Sequence, residues 1–423
     1  MTALTATSTR SARRRSRAFR AFLVARTGSI FGDRFAELAI PLLVLSASGS
    51  AAAAGLVRAA GLVPAILLAP AVGLMADRAS RRRMLVGADL VRAALMTLLV
   101  LAVAGTGGHL PLALLVAVAL LTGSADLVFI VASGALLPSL VDRRMLVVAN
   151  ARLEAGDAGA SVVGPSLAGL VIARLGAAAA LLVDALTFLV SAALVAGLPE
   201  PPRAPAVPDK PGGGRPGGAE LLAGLHEILH TPQQRLVQLG LLALHAVTGA
   251  VVLLVITLGQ RVLGLDAARI GLVVAAAGIG ALAASLLLAR APLEGGPIAP
   301  SLGTVLIGAG TALGMLASAP GLAGAFVATL ALDGMLAAGF VLAAAVRQTI
   351  TADHLLGRVT AVGYMLNAGT AAVSALVAGV LVTVVGPRAT LTWYAVAVVA
   401  AGLAVLLSPH GRQAAARSPR EPV

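Results

Sequence analysis

Long runs of Ala, Leu, Val and Gly, broken only by short polar stretches, make up most of this chain. The runs lack the one-sided stripe of a water-facing helix, because apolar residues fill every side of the turn. A helix that crosses the hydrocarbon needs about 20 such residues. Twelve stretches qualify, near 20–45, 51–76, 84–105, 111–138, 146–173, 177–198, 236–260, 267–290, 299–319, 321–347, 357–384 and 390–408. Turn residues separate them, among them Gly105-Thr106-Gly107-Gly108, Gly176, Pro320-Gly321 and Gly386-Pro387. The first run is too long for a cleaved leader, carries Asp33 and Glu37, and has no small-residue cleavage site. The pattern predicts an all-α integral membrane protein.

The one long polar interruption, Pro199 to about Pro232, is rich in Pro and Gly and reads as a flexible linker with a short amphipathic stretch at 220–230. It divides the chain into a basic tail (1–19), a six-helix bundle (20–198), the linker (199–235), a second six-helix bundle (236–408) and a C-terminal tail (409–423). An internal repeat supports that division. Gly55 and its neighbours match the segment from Gly271, an offset of 216, while Gly159, Gly169 and Gly176 match Gly369, Gly379 and Gly386 at 210, where Asp157 meets Asn367. Two matches near half the chain length predict parallel repeats, the plan of a two-bundle rocking transporter.

Composition narrows the function. Of 423 residues 59% are hydrophobic and 12% charged, against about 25% charged in soluble domains. Without cysteine there is no thiolate chemistry or Cys-bound metal, and the single lysine, Lys210, precedes Pro211, so no Walker A loop is present. No His-Glu-x-x-His, Asp-rich metal motif or Gly-x-Ser-x-Gly occurs, so no enzyme, cofactor or metal is expected. The net charge of +13 comes as clusters between apolar runs with few aromatics beside them, which argues against nucleic acid. Alternate loops hold 22 of the 31 Lys and Arg on one side and 4 on the other. The positive-inside rule then predicts both termini in the cytoplasm and an even number of spans in the cell membrane.

Between the second and third spans lies Gly73-Leu74-Met75-Ala76-Asp77-Arg78, followed by Arg81, Arg82 and Arg83. Gly73 permits close helix approach, Asp77 can accept bonds from arginines or cap a helix, and the cluster holds the loop at an anionic surface. This segment closely resembles the loop signature of the major facilitator superfamily. Leu137-Pro138-Ser139-Leu140-Val141-Asp142-Arg143-Arg144, Gly164-Pro165-Ser166-Leu167-Ala168-Gly169 and Leu182-Val183-Asp184 look like its drug-exporter branch, which includes macrolide and siderophore exporters. The resemblance implies that Gly73, Asp77, Arg78 and Arg81–Arg83 form a gating loop and that Gly164, Pro165 and Gly169 let the fifth span bend and pack closely. The fourth span departs from the pattern: it lacks the arginine that many drug/proton antiporters carry there.

Ionisable groups at bilayer depth cost a few kcal/mol, so each is a functional candidate. Asp33, Asp126, Asp157 and Asp333 lie mid-depth, as does His245; in this superfamily the first, fourth, seventh and tenth spans line the cavity, and each carries one such group here. Arg26, Asp33 and Glu37 share one stripe, and Arg34 can pair with Glu37 at i+3. Asp33, Glu37, Asp126 and Asp157 are candidates for proton coupling, with a permanently ionised structural pair as the alternative for the first two. Arg26, Arg34, His245 and Asp333 are candidates for cavity lining. Arg58 and Asp184 suggest a salt bridge near the outer surface, and Asp89 with Arg92 suggests anchors at the cytoplasmic start of the third span. The function expected is export of a small lipophilic or amphipathic compound by proton antiport, from a monomer embedded in lipid. A lysophospholipid translocase or a metabolite importer is the alternative; the translocase would need an apolar lateral opening.

Overall fold

The computed structural model describes residues 2–142, 145–198, 218–290 and 298–408; Arg143, Arg144, most of the linker and the C-terminal tail lie outside the described residues. Thirteen helices and no strand form among the described residues. They are α1 (Thr2–Ser48), α2 (Ala51–Leu67), α3 (Ala69–Arg78), α4 (Arg81–Thr106), α5 (Leu112–Leu140), α6 (Leu146–Leu175), α7 (Ala177–Ala196), α8 (Gly218–His230), α9 (Pro232–Arg261), α10 (Ala267–Arg290), α11 (Ile298–Ala317), α12 (Leu322–Ile350) and α13 (Asp353–Leu407). Eight are long and apolar enough to cross a membrane, and α2 with α3 makes a bent ninth.

Three boundaries differ from the sequence expectation. The helix expected from residue 20 starts at Thr2, since Ala and Arg in the basic segment are good helix formers. The second stretch, 51–76, breaks at Leu68 with a bend of 55°. Proline explains the break: Pro70 sits in the first turn of α3, where its missing N–H costs nothing, and Pro64 lies within the last turn of α2. The last two stretches run together as α13, yet Gly386 interrupts it with φ 83° and ψ 167°, and Pro387 follows. Gly176, between α6 and α7, has φ 83° and ψ 168°. The 210-residue repeat therefore preserves a backbone corner that a residue with a Cβ rarely adopts.

Helices α1–α7 pack among themselves, as do α8–α13, and the two sets meet chiefly where α2 crosses α13 and α6 crosses α10. Glycine makes both crossings. A Cβ on Gly55 would lie 2.4 Å from the carbonyl oxygen of Ala375 and 3.1 Å from Cα of Gly379; one on Gly271 would lie 2.4 Å from that of Pro165 and 2.9 Å from Cα of Gly169. The sequence repeat pairs Gly55 with Gly271 and Gly169 with Gly379, and each touches the partner of the other, as a two-fold relation between the halves requires. Arg261 Nη2 donates to the Gly49 carbonyl at 2.7 Å at this same end of the molecule.

Amphipathic α8 lies against the start of α13, with Ile228 buried on Val359 and Val362. Gly224 packs tightly on the Arg358 backbone.

Candidate functional site

Ser80 caps α4, its Oγ accepting from the Arg83 amide. Arg92, the twelfth residue of α4, thus lies about 17 Å along the helix at 1.5 Å per residue, near its middle rather than at its start. It is no surface anchor: only 2% of it is exposed. Its guanidinium stands 4.3 Å from the ring centroids of both Phe129 on α5 and Phe188 on α7. Asp89, one turn earlier and fully buried, accepts from Nη2 and is held in turn by Ser191 Oγ at 2.7 Å. Nη1 serves two more acids, Asp126 on α5 at 3.1 Å and Asp33 on α1 at 3.9 Å.

Asp184 joins the same cluster instead of pairing with Arg58. Asp33, Arg92 and Asp126 are its charged neighbours, and a Cβ on Gly32 would lie 2.6 Å from its Oδ1. Inward packing of α7 on α1 buries Asp184, whereas Arg58 is exposed on α2 with Glu37 and Asp126 as its nearest acids.

Two further pairs flank this centre. Arg26 Nη2 donates to Asp157 Oδ2 at 2.8 Å, tying α1 to α6, and Arg34 Nη1 donates to Glu37 Oε2 at 2.7 Å. Gly164 admits Arg34: a Cβ there would lie 2.7 Å from the Arg34 Cβ. Asp333 on α12 faces this group, with Glu37 and Arg34 as charged neighbours, and its buried Oδ2 has no hydrogen-bond partner. His245 turns to its own helix, Nδ1 lying 2.8 Å from the Leu241 carbonyl, and its ring meets Phe340 edge-on at 4.9 Å. Of the four mid-depth groups on α1, α5, α9 and α12, the structure therefore joins Asp33 and Asp126 through Arg92 and leaves His245 and Asp333 on the opposite wall.

The C-terminal set holds a network of amides and hydroxyls around one arginine that the sequence reading missed. Gln234 Nε2 donates to Thr351 Oγ1 at 2.5 Å, Arg347 Nη2 to Gln238 Oε1 at 2.6 Å, and Gln238 Nε2 to Asn367 Oδ1 at 2.9 Å. The match of Asp157 to Asn367 was the available signal. At the start of α4, Arg81 Nη1 donates to the Ala135 carbonyl of α5 at 2.8 Å and Arg82 Nη1 to that of Leu198, just past α7, at 2.9 Å, so these arginines tie α4 to the C-terminal parts of its neighbours. Arg78 ends α3. Gly73 makes no close approach, since a Cβ on it would meet nothing within 4 Å; the side chain of Asp77 lies outside the described residues. Helix α6 runs through Pro165 without a break, with Gly164 against Arg34 and Gly169 at the α10 crossing. Among the described residues no group of three or more His, Asp or Glu is arranged to hold a metal ion.

A separate apolar groove of about 1230 Å³ runs along α13, walled by α8, α9 and Ile66 of α2, with Trp393 on its rim. Thr370, Ser374 and Tyr394 supply its hydroxyls, and the last two bond to each other at 2.8 Å.

This arrangement, charges buried between apolar helices in two related halves, defines a membrane carrier. The chain belongs to the Major Facilitator Superfamily, which it matches over residues 22–292. It is a multi-pass membrane transporter of that fold. Among curated proteins, none matches the chain. The fold is similar to a variant of the nucleoside transporter NupG, with a TM-score of 0.70 and 11% identity over 92% of this chain and 99% of that one. A bacterial homologue of the iron transporter ferroportin, inward-facing, gives 0.69 at 16% identity over 95% and 99%. An inward-facing, unoccupied bacterial homologue of the human lysosomal transporter Spinster gives 0.63 at 14% identity over 95% and 96%.

Proposed function

We propose that the chain is a secondary active transporter of the drug-exporter branch that moves a lipophilic or amphipathic compound out of the cell in exchange for protons. Twelve spans are α1, α2 with α3, α4, α5, α6, α7, α9, α10, α11, α12 and the two parts of α13, with α8 on the cytoplasmic surface. Both termini are then cytoplasmic, and the glycine crossings close the outer end of a monomer whose cavity faces inward. The observation that carries the coupled reading is the gathering of Asp33 and Asp126 around one arginine. A carrier needs a group whose charge differs between its two states, because only differential affinity shifts a population.

Proteoliposomes with an imposed pH gradient, tested against a panel of antibiotics, siderophores and lysolipids, check the reading. Uphill movement of at least one compound is expected, lost in the double variant Asp33→Asn with Glu37→Gln while downhill movement persists. Uphill transport by that variant would shift coupling to Asp126 or Asp157. Asp77→Asn should slow transport at normal membrane insertion.

The groove along α13 favours a second reading, a lysophospholipid translocase. Its lining is almost wholly apolar, and it reaches from α8 to Trp393. Residues 362–381 span about 28 Å, close to the whole hydrocarbon thickness. Transport confined to lysolipids in the same panel would select it.

A further inference from the structure

We infer that Arg347, with Gln238 and Asn367, holds one small monovalent anion of the chloride class at the α8 end of the second half. The site lies apart from the acid cluster around Arg92, and the inference goes beyond the transport reading above. Its basis is a buried charge with no opposite charge beside it. Arg347 is 8% exposed, in the last turn of α12. Nη2 donates to Gln238 Oε1, and Nε is buried with no hydrogen-bond partner. Arg26, Arg34 and Arg92 each hold a carboxylate, whereas Arg347 has none among the described ion pairs.

The helix end does not make up the difference. A helix C-terminus offers about half an elementary negative charge, and the Arg347 carbonyl already accepts from Thr351 Oγ1. A guanidinium buried on those terms is strongly unfavourable until an anion joins it.

The side chains around it present donors. An arginine can only donate, so it fixes the polarity of the chain of amides that follows. Gln238 must turn its oxygen to Arg347 and its nitrogen to Asn367 Oδ1, which it meets at 2.9 Å. That leaves the Asn367 Nδ2 as a donor with no acceptor among the described residues. Gly363, one turn before Asn367 on α13, brings the guanidinium to the same helix face. A Cβ there would lie 2.6 Å from Arg347 Nη1 and 3.2 Å from Gln238 Oε1. The neighbouring Val362 is where α8 rests. Gln234 Oε1, an acceptor without a partner, lies one turn earlier on α9, where its amide nitrogen bonds Thr351. The donors therefore gather on the Asn367 side.

Charge and size of the ligand follow from this set. The network contains one cation, so a single negative charge balances it and a divalent anion would leave a new excess. Gln238, Arg347 and Asn367 are all buried, which suits an ion of one or a few atoms and excludes a lipid headgroup.

The test uses the full chain in phosphatidylcholine nanodiscs in gluconate, an anion too large for the site, with chloride or bromide added at constant ionic strength. Either halide should raise the unfolding temperature in step with the logarithm of its concentration once the site fills. The chloride NMR line should broaden and sharpen again on adding bromide, a signal of the unaltered protein that needs no variant to fold. Two variants bracket the site. Arg347→Gln removes the cation, and Gln238→Glu sets a carboxylate on the guanidinium from within the protein. Both should lose the halide response, and Gln238→Glu in gluconate should be as stable as the unaltered chain in chloride. The inference is overturned by a halide response absent from the unaltered chain or undiminished in either variant. Stabilisation by phosphate or by phosphatidylglycerol in place of halide overturns it as well.

Discussion

Arg26 with Asp157 and Gln238 with Asn367 occupy matching places in the two halves, 212 and 210 positions apart, and each pair ties an opening helix of its half to a later one. The first is an ion pair and the second an amide pair of nearly equal length, 2.8 against 2.9 Å. The contrast extends through the cores. Around α4 the N-terminal half buries an arginine among four carboxylates, whereas the C-terminal half builds its core network from Gln, Thr and Asn around one arginine near the end of α12. Geometry is duplicated while charge is not. A duplicated frame can thus carry an arginine among carboxylates in one half and an arginine among amides and hydroxyls in the other.

The sharpest way to break this contrast is to remove its centre. Arg92→Met should destabilise the protein by about 3–5 kcal/mol, because Asp89 would stay buried without its cation. Thermal unfolding in detergent should show this loss, and adding Asp89→Asn should restore part of it. Gly271→Leu comes next, forcing a side chain toward the Pro165 carbonyl. Overpacking of about 1–3 kcal/mol at that crossing should shift the population away from the closed outer end, read as faster alkylation of a cysteine placed at Ser48. Gly55→Leu should act alike if the two crossings are equivalent.

Smaller effects sharpen the pair comparison. Asp157→Asn alone strands Arg26, but joined with Arg26→Gln it reproduces the amide pair of the other half. A double-mutant cycle should return a coupling of about 1 kcal/mol, and the double variant should be the more stable of the two. Tyr394→Phe should cost about 1–2 kcal/mol, the loss of the hydroxyl's bonds to the Ser374 carbonyl and Oγ, with transport unchanged unless the α13 groove carries substrate.

Much of the frame was readable beforehand. Apolar runs and turn glycines gave the helices, and the 210-residue offset led to twin corners at Gly176 and Gly386 because a left-handed φ demands glycine wherever the repeat keeps it. Local spacing also carried information, since Arg34 and Glu37 three apart on one helix face meet without help from the rest of the fold. Partners across helices were not legible. Arg92 was placed near a membrane edge by its distance from a basic loop, although counting helical rise from Ser80 puts it deep. Asp184 does not meet Arg58, because packing of α7 on α1, which no local pattern encodes, turns it toward Gly32. Pro64 and Pro70 did announce the break at Leu68, but the apolar run masked it.

The two glycine crossings have a mechanical consequence. Rigid bodies that touch closely at two spots keep one easy freedom, rotation about the line through them. Backbone lies against backbone at both spots, so beside them the Arg261 bond to Gly49 must let go for the contact to roll. Two bearings define an axle, and here both bearings are made by four residues without side chains.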